Sequence, residues 1–72
     1  MKISYYPDTD SMYIDLKAKS SKESKEVSPG VVLDYDAEDN LVGIDIDNAS
    51  NKLDLKELIL NKLPIEKQTI AA

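Results

Sequence analysis

The chain has 72 residues, nine basic and fourteen acidic side chains and a net charge of −5. All nine basic residues are lysine, and arginine, histidine and cysteine do not occur. This excludes a disulfide framework, chemistry by thiolate or imidazole, and the basic, arginine-bearing surface with which a domain reads duplex nucleic acid.

Chain order begins with a hairpin pattern over residues 2–17. Apolar residues alternate through Ile3, Tyr5, Met12, Ile14 and Leu16 around a polar turn at 7–11, which is the strand-turn-strand signal. Centring the turn on Asp8 and Thr9 puts Tyr5 opposite Met12, Ile3 opposite Ile14 and Met1 opposite Leu16. Residues 17–26 are polar with interleaved lysine and glutamate, a solvated loop rather than a phosphate-binding patch. Their end, 24–28, is able to extend as a short edge strand whose charges discourage edge-to-edge pairing. Ser28-Pro29-Gly30 reads as a turn. No histidine is present to activate the serine, and no nucleophile elbow surrounds it.

A second hairpin pattern covers 31–46, with its turn at 37–40. Centring that turn on Glu38 and Asp39 pairs Tyr35 with Val42, Leu33 with Ile44 and Val31 with Ile46, every pair apolar as a buried face requires. Gly43 inside the last strand marks a bulge or a close backbone approach. Beyond Ile46 the spacing becomes helical. Residues 47–52 hold cap and turn formers sufficient for one helical turn. Asp54 and Glu57 resemble a capping box opening a helix over 55–63, with Leu55, Leu58, Ile59 and Leu63 on one side and Pro64 ending it.

These elements predict a single α+β domain over 1–72. A small antiparallel sheet of two β-hairpins (four strands, with 24–28 as a candidate fifth) occupies 1–47. A helical segment over 48–63 covers one sheet face, and 64–72 form a tail. No apolar run reaches signal-peptide length or the roughly 20 residues of a membrane span. A soluble cytoplasmic protein that contacts neither membrane nor nucleic acid is expected. A chain this short hides only about 60% of its unfolded surface, so a homo-oligomer, most simply a dimer, is the expected remedy for a marginal core.

Six acids and no base lie within 34–47: Asp34, Asp36, Glu38, Asp39, Asp45 and Asp47. The register makes Asp34 and Asp45 diagonal neighbours on the solvent face, about 7–8 Å apart at the backbone. A hard-cation site is one reading, although the EF-hand spacing is missing. A carboxylate-pair hydrolase is another, although it needs a concave cleft. A solvated face that maintains solubility is the plainest. Among the tyrosines, Tyr5 and Tyr35 fall on the apolar face and read as core. Tyr6 and Tyr13 point outward, where tyrosine suits protein contacts. The pattern favours a non-enzymatic protein-interaction module without cofactor or catalytic residue. Tyr13, Asp34 and Asp45 are its expected partner contacts, and a basic protein is its electrostatically suited partner. The alternative is a divalent cation or a metal-dependent activity on the acidic face.

Several segments resemble the short bacterial proteins of domain of unknown function 2283. They are Ile3-Ser4-Tyr5, the Pro7-Asp8-x-Asp10-Ser11 turn, Met12-Tyr13-Ile14-x-Leu16, the string from Glu26 to Asp36, and Val42-Gly43-Ile44-Asp45-Ile46 before Ala49-Ser50. The resemblance covers about residues 2–53 and implies a small sheet with a C-terminal helix. It supplies no reaction or cofactor. The arginine-bearing turn common in that family is Ala37-Glu38-Asp39-Asn40 here, so no role of that basic residue carries over. Members often look like the small partner in two-gene modules resembling toxin–antitoxin pairs, which implies a neutralising, antitoxin-like role.

Overall fold

The structure is a computed structural model that describes residues 1–71. Five strands, β1 (Lys2–Tyr6), β2 (Ser11–Asp15), β3 (Glu23–Ser28), β4 (Val31–Tyr35) and β5 (Leu41–Ile46), precede one short helix, α1 (Ala49–Lys52). The strands form one antiparallel sheet in the order β1-β2-β5-β4-β3. The sheet therefore has five strands rather than four, because the charged segment expected at the edge does pair with β4. Among the described residues no helix is long and apolar enough to cross a membrane.

The first hairpin has the expected register, with Ile3 opposite Ile14 and Tyr5 opposite Met12. Pairing stops at Lys2 and Asp15. The Leu16 amide instead donates to the Val42 carbonyl of β5 at 2.8 Å, so Met1 does not pair with Leu16 and stays exposed. In the second hairpin Val31–Ile46 and Leu33–Ile44 pair as expected, but Tyr35 lies opposite Leu41, not Val42. The cause is in the turn. Asp36 donates its amide to the Asn40 carbonyl at 2.9 Å, and its carboxylate accepts from the amides of Glu38 and Asn40 and from the Asn40 side chain. Asp39 takes the left-handed conformation at φ 63°, which Asp tolerates better than most residues. This closes a three-residue loop, and Val42 becomes the extra residue of a β-bulge. Val42 is one of the few fully enclosed side chains, at 2% exposure.

Between β3 and β4, Ser28 faces Val31 across Pro29 and Gly30. Pro at the first corner and Gly30 at φ 73° match a type II turn. After β5 the Asp47 amide bonds the Gly30 carbonyl at 2.8 Å. The chain then enters α1 through Asn48, whose side chain makes no capping bond. The cap comes from the first hairpin. Asp10, itself left-handed at φ 51°, accepts the Ala49 amide at its carbonyl and the Ser50 amide and hydroxyl at its carboxylate. Ala49 is completely buried.

The helix expected over 55–63 does not form. A single turn closes by the Glu57 amide on the Asp54 carbonyl, and residues 53–71 otherwise have no regular structure. Nine residues are too few for a helix to stand alone, and Leu58 and Ile59 are 69% and 67% exposed, so no docking compensates nucleation. The tail expected over 64–72 is likewise irregular as far as Ala71, and Ala72 lies outside the described residues. Consequently the inner, apolar face of the sheet is thinly covered. Tyr5, expected in the core, is 42% exposed and donates its hydroxyl to Asp10 at 2.7 Å. Tyr35 is half-buried.

Candidate functional site

Strand parity and the β2–β5 pairing decide what meets on the outer face. One row runs Ser4, Tyr13, Asp45, Val32, Glu26, and the next runs Lys2, Asp15, Gly43, Asp34, Ser24. Tyr13 thus sits directly opposite Asp45 and diagonally across Gly43 from Asp34. All three expected contact residues share one small patch at the sheet centre.

Gly43 makes the patch possible. A Cβ there would lie 1.9 Å from the Tyr13 hydroxyl oxygen and 2.6 Å from the ring carbon that bears it. With no side chain in the way, the Tyr13 ring lies over the β5 backbone and donates its hydroxyl to Asp34 Oδ2 at 2.8 Å. Ser24 of edge strand β3 donates to the other oxygen, Oδ1, at 2.6 Å. One carboxylate therefore ties three strands together over a fourth.

The electrostatics are one-sided. The Asp34 carboxylate accepting its proton, followed by burial and the nearby negative charges, pushes the Tyr13 hydroxyl up to about 12. Tyr13 is therefore a neutral donor at any physiological pH. Asp45 is raised above the usual carboxylate value by burial, then by the adjacent Asp47 and Asp34 charges. A carboxyl whose folded value is raised is more readily ionised in the unfolded chain. Its stabilising contribution is present at acid pH and is lost as pH rises through the folded value. Asp45→Asn is accordingly expected to stabilise the protein at neutral pH by a few tenths of a kcal/mol. Urea midpoints at pH 7 and pH 3 test this, since the gain must vanish in acid and shrink in high salt.

The other acids serve the scaffold. Asp36 is held below the usual range, chiefly by the Asn40 amide, and Asp10 is held low by the Ser50 and Tyr5 hydroxyls. Among the described residues no three His, Cys, Asp or Glu side chains converge as metal ligands. Two shallow depressions, one lined by Glu23, Ser24, Lys25, Tyr35 and Asp39 and one beside 53–57, are open to solvent. Sequence reasoning placed Tyr13, Asp34 and Asp45 on one face and flagged Gly43 as a close approach. It missed Ser24, whose strand has no apolar alternation to fix its register, and the Asp10–Ser50 cap, which joins residues 40 positions apart.

The profile of the family described as "Protein of unknown function (DUF2283)" matches residues 2–50. The chain belongs to this family. The matched span contains all five strands and both halves of the Tyr13–Asp34 bond, and it ends inside α1. The expected resemblance is thereby upheld for the sheet. No curated protein and no solved structure matches the chain.

Proposed function

We propose that this DUF2283 protein is a non-enzymatic protein-interaction module whose outer face, through Tyr13, Asp34 and Asp45, binds a basic protein. The observation that supports this reading most is the state of Asp45. It is partly buried, crowded by Asp34 and Asp47, and held above the usual carboxylate range. A lysine or arginine arriving from a partner would relieve that repulsion, and a group kept in an unfavourable ionised state is a mark of a working surface. Asp34 is already oriented by Tyr13 and Ser24, so little side-chain entropy is lost on docking. An antitoxin-like role fits this chemistry, because an acidic face is suited to covering the nucleic-acid groove of a basic toxin.

The test is affinity capture of the native host's proteins on the intact chain, beside Asp34→Asn/Asp45→Asn. A stoichiometric basic partner is expected, bound at least about tenfold more weakly by the double variant and more weakly in high salt. Recovery of no stoichiometric partner, or equal recovery by both chains, overturns the reading. Amide shifts at Asp34 and Asp45 under calcium or magnesium would favour a cation site instead.

A further inference from the structure

Edge strand β1 carries an inference independent of the acidic face. The directions of its backbone groups follow from the neighbouring ladders. The Leu16 amide bonds the Val42 carbonyl, which continues the β2–β5 register of Met12–Ile46 and Ile14–Ile44. Hydrogen-bonded pairs alternate along an antiparallel ladder. Met12, Ile14 and Leu16 therefore turn their amides and carbonyls to β5, and Ser11, Tyr13 and Asp15 turn theirs to β1. The Asp47 amide on the Gly30 carbonyl gives β5 the same parity from its other side. On β1, Lys2, Ser4 and Tyr6 then bond β2, and the amides and carbonyls of Ile3 and Tyr5 face the open edge. Among the described residues no backbone group outside the sheet takes them up.

The two edges of the sheet differ. β3 carries Glu23, Lys25 and Glu26 and a register shift between Glu26 and Ser28, devices that discourage pairing with another strand. β1 has a regular register, no acid, and Lys2 as its one charge. Ile3, Tyr5 and Tyr6 on it are 46%, 42% and 53% exposed. An apolar edge left open in this way is a template for another strand.

We infer that β1 of a second copy of this chain pairs antiparallel with this edge, about a two-fold axis between the two Ser4 residues. The open groups select that register. It sets Ile3 opposite Tyr5 of the second copy and Tyr5 opposite its Ile3, so every open amide meets an open carbonyl. Centring on Tyr5 would set Ile3 against Pro7, which has no amide to give. Centring on Ile3 would set Tyr5 against Met1, outside the strand. In the Ser4 register Ile3 and Tyr5 of both copies form one apolar row, and Lys2 lies opposite Tyr6, a cation beside an aromatic ring. Charge favours a second copy over a basic strand here. Two chains of net charge −5 repel where acids face one another, and this register sets no acid opposite an acid. A strand from a basic protein would meet only Lys2. The contact is isologous and closed, because it occupies both β1 edges and the joined sheet ends in a charged β3 on each side.

A pairing of five residues a side is smaller than a standard interface, so a dissociation constant of about 10–1,000 μM is expected. Sedimentation equilibrium of the full chain across that range should move the mass from 8.0 kDa toward twice that value. Amide exchange at Ile3 and Tyr5 should slow as concentration rises, and exchange along β3 should not. Ile3→Pro removes an open amide that β2 does not use, and should weaken association at least about tenfold. Glu26→Pro, whose amide faces the open side of β3 by the same parity, should leave it unchanged. Because Ile3→Pro can also loosen the hairpin, an equal mixture of isotope-labelled and unlabelled natural chains supplies a measurement without substitution. An intermolecular NOE is expected between the α-protons of the two Ser4 residues, which face one another as a close pair. A chain that stays monomeric to about 1 mM overturns the inference. Intermolecular NOEs at β3 or on a sheet face, association lost equally in Glu26→Pro, or protection of Ile3 and Tyr5 only by another host protein overturn it as well.

Discussion

Gly43→Ala is expected to destabilise the protein by about 2–3 kcal/mol, against the usual direction of that exchange in a strand. Alanine in place of glycine ordinarily gains about 0.5–1 kcal/mol by restricting the unfolded chain. Here the new methyl would occupy space 1.9 Å from the Tyr13 hydroxyl oxygen. The aromatic side chain must swing off β5, leaving Asp34 with Ser24 alone. Overpacking at a well-filled contact costs about 1–3 kcal/mol, and the lost hydrogen bond to a charged acceptor adds about 1.5–3 kcal/mol at most. Chemical denaturation of Gly43→Ala, Tyr13→Ala and the double variant settles the cause. In the Tyr13→Ala background the same exchange should cost almost nothing, giving a coupling energy of about 2 kcal/mol. Equal costs in both backgrounds would show that the ring is not what the methyl strikes.

Asp36→Ala is the second large effect, and it acts on register rather than on packing alone. Asp36 is 4% exposed, and its carboxylate receives three N–H groups from Glu38 and Asn40. Removing it strands those donors at the turn that places Val42 in the bulge. We expect the thermal midpoint to fall by about 5–10 °C, the range in which one or two such losses appear in a domain of this size. The carboxylate's depressed value makes its contribution pH-dependent. That contribution is complete above the ordinary Asp value near 3.8 and is lost as pH falls through the lower folded value. The gap between the natural chain and Asp36→Ala should therefore narrow in strong acid. Amide-exchange protection of Leu41 and Val42 should drop first. If it persists, the bulge does not depend on Asp36.

The contrast between these residues shows what the sequence made legible. Period-two spacing gave both hairpin registers, because a slip by one residue would invert every apolar side chain. The shift at Tyr35 escaped it, since a bulge depends on a carboxylate reaching four residues along the chain. Asp36 and Asn40 flanking an Asp that tolerates positive φ were the available signal. The helix over 55–63 shows the reverse error. Its apolar stripe was real, but a stripe requires a surface to dock on, and at nine residues propensity does not suffice. In the site, parity alone grouped Tyr13 with Asp34 and Asp45. That they touch depends on β2 lying beside β5, a choice between hairpins that local pattern does not contain.

The strand order has a kinetic meaning. β5 is the last strand in the chain and the middle strand of the sheet. The β1–β2 hairpin and the β3–β4–β5 meander can each close locally on the microsecond scale, yet each then has an open side with unpaired amides, on β2 and on β5. Only the pairing of β2 with β5 joins them, and that step closes the long loop between the two strands. Folding speed is thus governed by a non-local event late in the chain. Until it occurs, the two half-sheets are the aggregation-exposed species, which gives the charged β3 edge a protective role during synthesis.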